Sequence, residues 1–195
     1  PKIKLTFIGG DDKNNDIPNR DSSDFRIDSA NMFLTNRFQG YDYVLPGARA
    51  DIGLSAFTNS KILGSLHGFA GVSRRHTGEA PSGLTAGNNK DLSDYIATVS
   101  AEKENLYVLS WSGRINSTSS NLDESRAKFS ANILNTKLTV AHTQLTQNYF
   151  ASADGDLEEA TVSVSQSLNN SINLRASQNW DLSNSMVSRD KSSFI

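Results

Sequence analysis

From residue 47 onward apolar and polar residues alternate with a period of two, the pattern of strands whose two faces meet different surroundings. The alternation predicts long strands over 47–57, 61–75, 93–103, 105–116, 122–133, 136–147, 157–168 and 171–181, with a further one starting near 187. Most run to about 11 residues or more, where strands of ordinary domains run to about 5–6. A tilted strand needs about 9–11 residues to cross a bilayer. The connections alternate too. Thr58-Asn59-Ser60, the turn at Glu104, Leu134-Asn135 and Asn169-Asn170 are short, whereas His76 to Leu92, Ser117 to Asn121 and Asn148 to Asp156 are longer. Sorting of short turns to one end and long loops to the other is the habit of a transmembrane barrel.

The faces follow from parity. In 47–57, Ala48, Ala50, Ile52, Leu54 and Ala56 oppose Arg49, Asp51, Gly53 and Ser55. In 122–133, Ala127, Phe129, Ala131 and Ile133 oppose Glu124, Arg126, Lys128, Ser130 and Asn132. In the pair 93–116, Tyr95, Ala97, Val99, Ala101, Tyr107, Leu109 and Trp111 point one way, and Thr98, Ser100, Glu102, Ser110, Ser112 and Arg114 the other. Such modest apolar residues would fill a water-soluble core poorly, but lipid asks only for hydrocarbon contact. Tyr95 and Trp180 at the long-loop ends and Tyr107 at the short-turn end suit interfacial belts. The expected fold class is therefore all-β: an antiparallel up-and-down transmembrane β-barrel, about 8–10 strands of a larger one. Misfits are Gln166 and Gln178 on the apolar parity, Phe69 on the polar one, and an ambiguous stretch around His142.

Composition narrows the function. The chain has 195 residues, 36% of them hydrophobic, and a net charge of −2, which gives no basic footprint for nucleic acid. It has no cysteine, so neither a disulfide frame nor a thiolate metal site is available within it. No apolar run approaches the roughly 20 residues of a membrane helix. The chain starts and ends in strand-like text, Lys2 to Ile8 and Ser192 to Ile195, which reads as a piece of something larger.

Residues 17 to 54, IPNRDSSDFRIDSANMFLTNRFQGYDYVLPGARADIGL, resemble a segment of the lipopolysaccharide-assembly outer-membrane family LptD, the organic solvent tolerance proteins. The matching positions are Ile17, Pro18, Asn19, Asp21 and Ser22, then Asp28, Asn31 and Phe33, then Asn36, Arg37, Phe38, Gly40, Tyr41 and Asp42, with Gly47 and Arg49 leading into a strand. The later DLSDYIATVS looks like that family's next strand. The resemblance implies a barrel in the outer membrane of a Gram-negative bacterium that passes lipopolysaccharide to the outer leaflet. It implies a plug lipoprotein like LptE and a periplasmic bridge like LptA as partners, and no cofactor. The family's jellyroll, closing strand and cysteines are not recognisable here, so its lateral opening is not mapped onto these residues. On this reading 1–46 is a strand end plus a long extracellular loop folded over the barrel mouth, and 47–195 is barrel wall. Asp28-Ser29 would N-cap a short helix through Asn31, Met32 and Phe33.

Candidate chemistry elsewhere is thin. Gly78 and Gly83 have phosphate-loop spacing, but Leu84-Thr85 stands where Lys is required. Asp154, Asp156, Glu158 and Glu159 lack full calcium-loop spacing, and His67, His76 and His142 have none that suggests zinc. Asn116-Ser117-Thr118 is a glycosylation sequon, irrelevant if the protein is bacterial as the resemblance implies. No Ser-His-Asp order is defensible, so no enzyme is expected. The charged positions Arg49, Asp51, Glu102, Arg114, Glu124, Arg126, Lys128, Glu159 and Arg175 are the candidate lumen lining. They would overfill a barrel of about eight strands and fit a wider one. Either they pair and hydrate a wide lumen, or they meet a plug protein or an anionic saccharide. The competing classes are a passive diffusion porin, an adhesin-type barrel and a soluble β-rich binding module.

Overall fold

The computed structural model describes residues 1–9, 27–37, 47–77, 91–146, 156–168 and 172–183, and the backbone of 191–194. Among the described residues ten strands form one open antiparallel sheet in strict sequence order. They are β1 (Lys2–Ile8), β2 (Gly47–Ser60), β3 (Gly64–Arg75), β4 (Tyr95–Lys103), β5 (Tyr107–Ile115), β6 (Leu122–Ile133), β7 (Thr136–Leu145), β8 (Leu157–Ser167), β9 (Asn173–Asp181) and β10 (Lys191–Phe194). Each strand pairs with its neighbours in the chain, so the all-β, up-and-down expectation holds.

The differences are local. The first strand of the alternating region extends through Ser60, and its turn moves to Lys61–Leu63. There Ser60 Oγ accepts the N–H groups of Ile62 and Leu63, both at 3.2 Å. Gly64 closes the turn at φ 72°, where a Cβ would lie 2.1 Å from the Glu102 carbonyl oxygen. The strand expected near 187 is Lys191–Phe194. Residues 29–33 make a turn and no helix. Asp28 Oδ1 does accept the N–H groups of Ala30 and Asn31, at 2.9 and 2.8 Å, and Met32 N–H reaches the Asp28 carbonyl at 3.0 Å. One such turn does not repay nucleation, and Thr35-Asn36 adds little helical propensity.

Register assigns the faces, since paired residues point to the same side. Asp51 opposes Ser73, Ile96 opposes Arg114, and Arg114 opposes Glu124, so one face is polar across the sheet. The other exposes Ile3, Leu5, Phe7, Ile52, Leu54, Val99, Leu109, Phe129, Val140, Val164 and Leu174. This apolar band slips along the ladder. The row from Leu54 through Ala70, Ala97 and Gly113 to Ser125, Gln144 and Glu158 begins apolar and ends polar. The row from Thr58 through Leu66 and Leu109 to Val140 and Val162 does the reverse. A level band drifts in this way across strands tilted by about 35–45°, as closing a barrel requires. Tilt also explains the ambiguous stretch. His142 and Gln144 are on the apolar face, but at its long-loop edge, where His142 Nε2 meets Glu158 Oε1 at 2.9 Å.

Candidate functional site

The polar face of β2–β5 is not bare. Residues 27–37 lie against it, and glycines make the seat. A Cβ on Gly53 would stand 2.8 Å from the Phe33 ring, and one on Gly71 would stand 2.6 Å from Met32 Sδ. Met32, with none of its surface exposed, packs with Ile27, Phe69 and Ile96, and Phe33 covers them. The Phe33 and Phe69 rings meet edge to face at 6.3 Å. Phe69, a misfit when parity alone is considered, is therefore part of this small core.

Charges from the same face hold the segment at both ends. Arg114 donates to the Ile27 carbonyl at 2.9 Å. At the other end Arg49 donates to the Thr35 carbonyl at 2.8 Å and to that of Leu34. Lys4 reaches the Phe33 carbonyl at 2.9 Å and Thr35 Oγ1 at 2.8 Å, and Lys2 lies over the Phe33 ring, 4.6 Å from its centroid. Arg37 is buried. It pairs with Asp51, donates to the Met32 carbonyl at 2.7 Å and reaches Ser73 Oγ at 3.0 Å. Asp51, fully buried, also accepts the Ser73 hydroxyl at 2.6 Å and meets Arg49 Nε at 3.4 Å. Burial, and then the charge of Arg49, lower the Arg37 pKa to about 10, which leaves it charged at neutral pH. A guanidinium enclosed this way needs the carboxylate and carbonyl acceptors it has.

The register places Arg49, Asp51, Glu102, Arg114, Glu124, Arg126, Lys128, Glu159 and Arg175 on this one face. They do not form one cluster. Arg49 and Asp51 join Arg37. Glu124 is buried between Arg114, at 3.7 Å, and Arg126, at 2.6 Å. Glu102, Lys128 and Arg175 are exposed and Glu159 half-buried, all beyond the covered region. Of the motif-bearing positions, Asp28, Asn31, Phe33, Asn36, Arg37, Gly47 and Arg49 are seen; Ile17, Pro18, Asn19, Asp21, Ser22, Phe38, Gly40, Tyr41 and Asp42 lie outside the described residues. The residues that parity reading missed are Gly53, Gly71, Ser73 and Met32. Their signal was two glycines and a phenylalanine on polar-parity positions of adjacent strands.

The polar face of β6–β9 has a different character. Ser130 and Thr139 hydroxyls meet at 3.1 Å, and Thr161 donates to Asn179 Oδ1 at 2.8 Å. A 370 Å³ hollow across β4–β7 is bordered by Ser100, Ser110, Ser112, Arg126, Lys128 and Thr143, together with Val99, Trp111 and Ala127. This arrangement offers hydroxyls and cations to a wet, anionic or hydroxylated solute. A family model described as LptD, LPS transport system D, matches residues 1–180. A search of curated proteins finds no match.

Proposed function

This chain belongs to the LptD family, LPS transport system D, and on that premise we propose that its sheet is an arc of an outer-membrane conduit carrying lipopolysaccharide to the outer leaflet. The family is one of transport, and its setting is the outer membrane. In our reading the polar face lines the lumen, with Arg49, Asp51, Glu102, Arg114, Glu124, Arg126, Lys128, Glu159 and Arg175 on its wall. The apolar face meets hydrocarbon. The saccharide part of the lipid passes the hydroxyls and cations, and the acyl chains leave sideways into the membrane. The long-loop end is extracellular, with residues 1–46 contributing a strand and a loop, and 47–195 supplying wall. A plug lipoprotein like LptE occupies the lumen, and a bridge like LptA delivers the lipid from the short-turn side.

One observation carries this reading: every charged candidate falls on the face opposite the exposed band of Ile52, Leu54, Val99, Leu109, Phe129, Val140, Val164 and Leu174. A soluble module would bury that apolar set. Depleting the full-length protein in its native bacterium, with surface lipopolysaccharide as the readout, tests the assignment. Surface lipopolysaccharide is expected to fall, and an unchanged level refutes the role. Purification is expected to bring down a stoichiometric lipoprotein. Its absence, together with open ion conductance, would indicate a diffusion porin.

A further inference from the structure

Near the long-loop end the apolar face carries a groove of 260 Å³ along β2. Its floor is Ala48 and Ala50, the smallest side chains available. One wall is Leu5 and Phe7 of β1, which are 64% and 77% exposed, and the other is Arg74 and His76. Register explains the shape: Leu5 and Arg74 flank Ala50 in one row, and Phe7 flanks Ala48 in the next. His76 extends the same ladder, donating its N–H to the Ala48 carbonyl at 2.8 Å. Arg49 also borders the groove, but its guanidinium is committed to the opposite face through Thr35 and Asp51.

A cation on this face is unusual. Among the described strand positions with apolar-face register, the Arg and Lys residues are Arg74 and Lys103, one near each end of the band. The carboxylate of that face, Glu158 on β8, is paired with His142 and lies five strands from Arg74. A cation facing hydrocarbon is tolerated at the edge of the band, where its cost becomes small. There it meets the depth at which lipid phosphates lie. Guanidinium matches phosphate with two parallel N–H donors, and Leu5 and Phe7 match an acyl chain.

We propose that this groove holds one phosphate-bearing lipid of the adjoining leaflet, its phosphate on Arg74 and His76 and an acyl chain against Leu5 and Phe7. The site is on the wall's exterior and rests on the apolar face meeting lipid, but it is independent of what passes through the lumen.

The test uses the purified full-length barrel in detergent and native mass spectrometry, with dioleoyl phosphatidic acid and dioleoylglycerol as probes. The protein is expected to retain the phosphatidic acid and not the glyceride. Arg74→Gln is expected to weaken retention about tenfold, the scale of one charge-assisted contact. Ala50→Phe, which fills the floor without touching a charge, is expected to do the same. Heat-modifiable electrophoretic mobility confirms folding of each variant. Equal retention of the two lipids, or undiminished phosphatidic acid on the double variant Arg74→Gln/His76→Gln, overturns the proposal. Loss of surface lipopolysaccharide on depletion is unaffected by either result, so the two readings fail separately.

Discussion

The polar face of the sheet is built in two ways. Towards the long-loop end of β1–β5 its residues are buried by the segment 27–37 and behave as a protein interior, with glycine hollows, an apolar cluster and a guanidinium enclosed by Asp51, Ser73 and the Met32 carbonyl. Across β6–β9, apart from buried Glu124 and Leu145, the same parity carries Ser, Thr, Asn and Lys that stay partly open. The alternation is identical in the two halves, yet the energetics are opposite. An inward charge in the covered half is costly to leave alone, whereas one in the open half is solvated. A barrel lumen is therefore not one environment, and the worth of a lumen charge depends on what folds against it.

The sharpest way to break this contrast is Asp51→Ala. It leaves Arg37 enclosed and short of its carboxylate, and destabilisation of roughly 3–5 kcal/mol is expected. Residues 27–37 should also become open to protease. The temperature at which the barrel loses its folded electrophoretic mobility, followed with limited proteolysis, reads both. An Asp51→Ala barrel that melts like the parent would mean that the segment is not anchored there.

Next in size is the opposite face. Val140 is central in β7 and exposed with the apolar band, and Val140→Arg should cost roughly 2–4 kcal/mol if the band is at mid-membrane. Leu54→Arg should behave alike. Urea titrations of the refolded barrel in lipid vesicles measure the effect, and neutrality at both Val140 and Leu54 would contradict the face assignment.

A smaller effect tests the seat itself. Gly71→Ala places a methyl 2.6 Å from Met32 Sδ and 2.9 Å from the Phe69 ring, and about 1–3 kcal/mol of overpacking is expected. Gly68, three residues earlier on the other face, has nothing within 4 Å of a Cβ, so Gly68→Ala is the matched control. Equal melting of the two variants would mean that Met32 does not sit on Gly71.

How legible was this beforehand? The strands, their long and short connections and the two faces all follow from period-two alternation, because each is a local property of the chain. Their ends shifted by a few residues where Ser60 caps a turn or Gly64 takes a left-handed conformation. The docking of 27–37 was not legible. It joins positions far apart in sequence, Ile27 with Arg114 and Arg37 with Ser73, and no periodicity reports such pairs. Phe69, Gly53 and Gly71 were visible as departures on adjacent strands, but only the register shows that they form one hollow. His142 looked ambiguous because strand tilt, not strand sequence, decides where the apolar band ends.

The smallest expected effect is the most informative about the open half. Lys128 opposes Ser110 across the β5–β6 ladder, is exposed, and makes no ion pair among the described residues. Its charge is solvated whether or not a solute is present, so Lys128→Ala should leave stability unchanged within about 0.5 kcal/mol. The contrast with Asp51→Ala is then one of cover and of the pairing that cover enforces, since both residues are charged and share a face. A destabilisation above about 1 kcal/mol, measured by the same melting assay, would mean that something also folds onto β6–β9, and the two halves would no longer differ in kind.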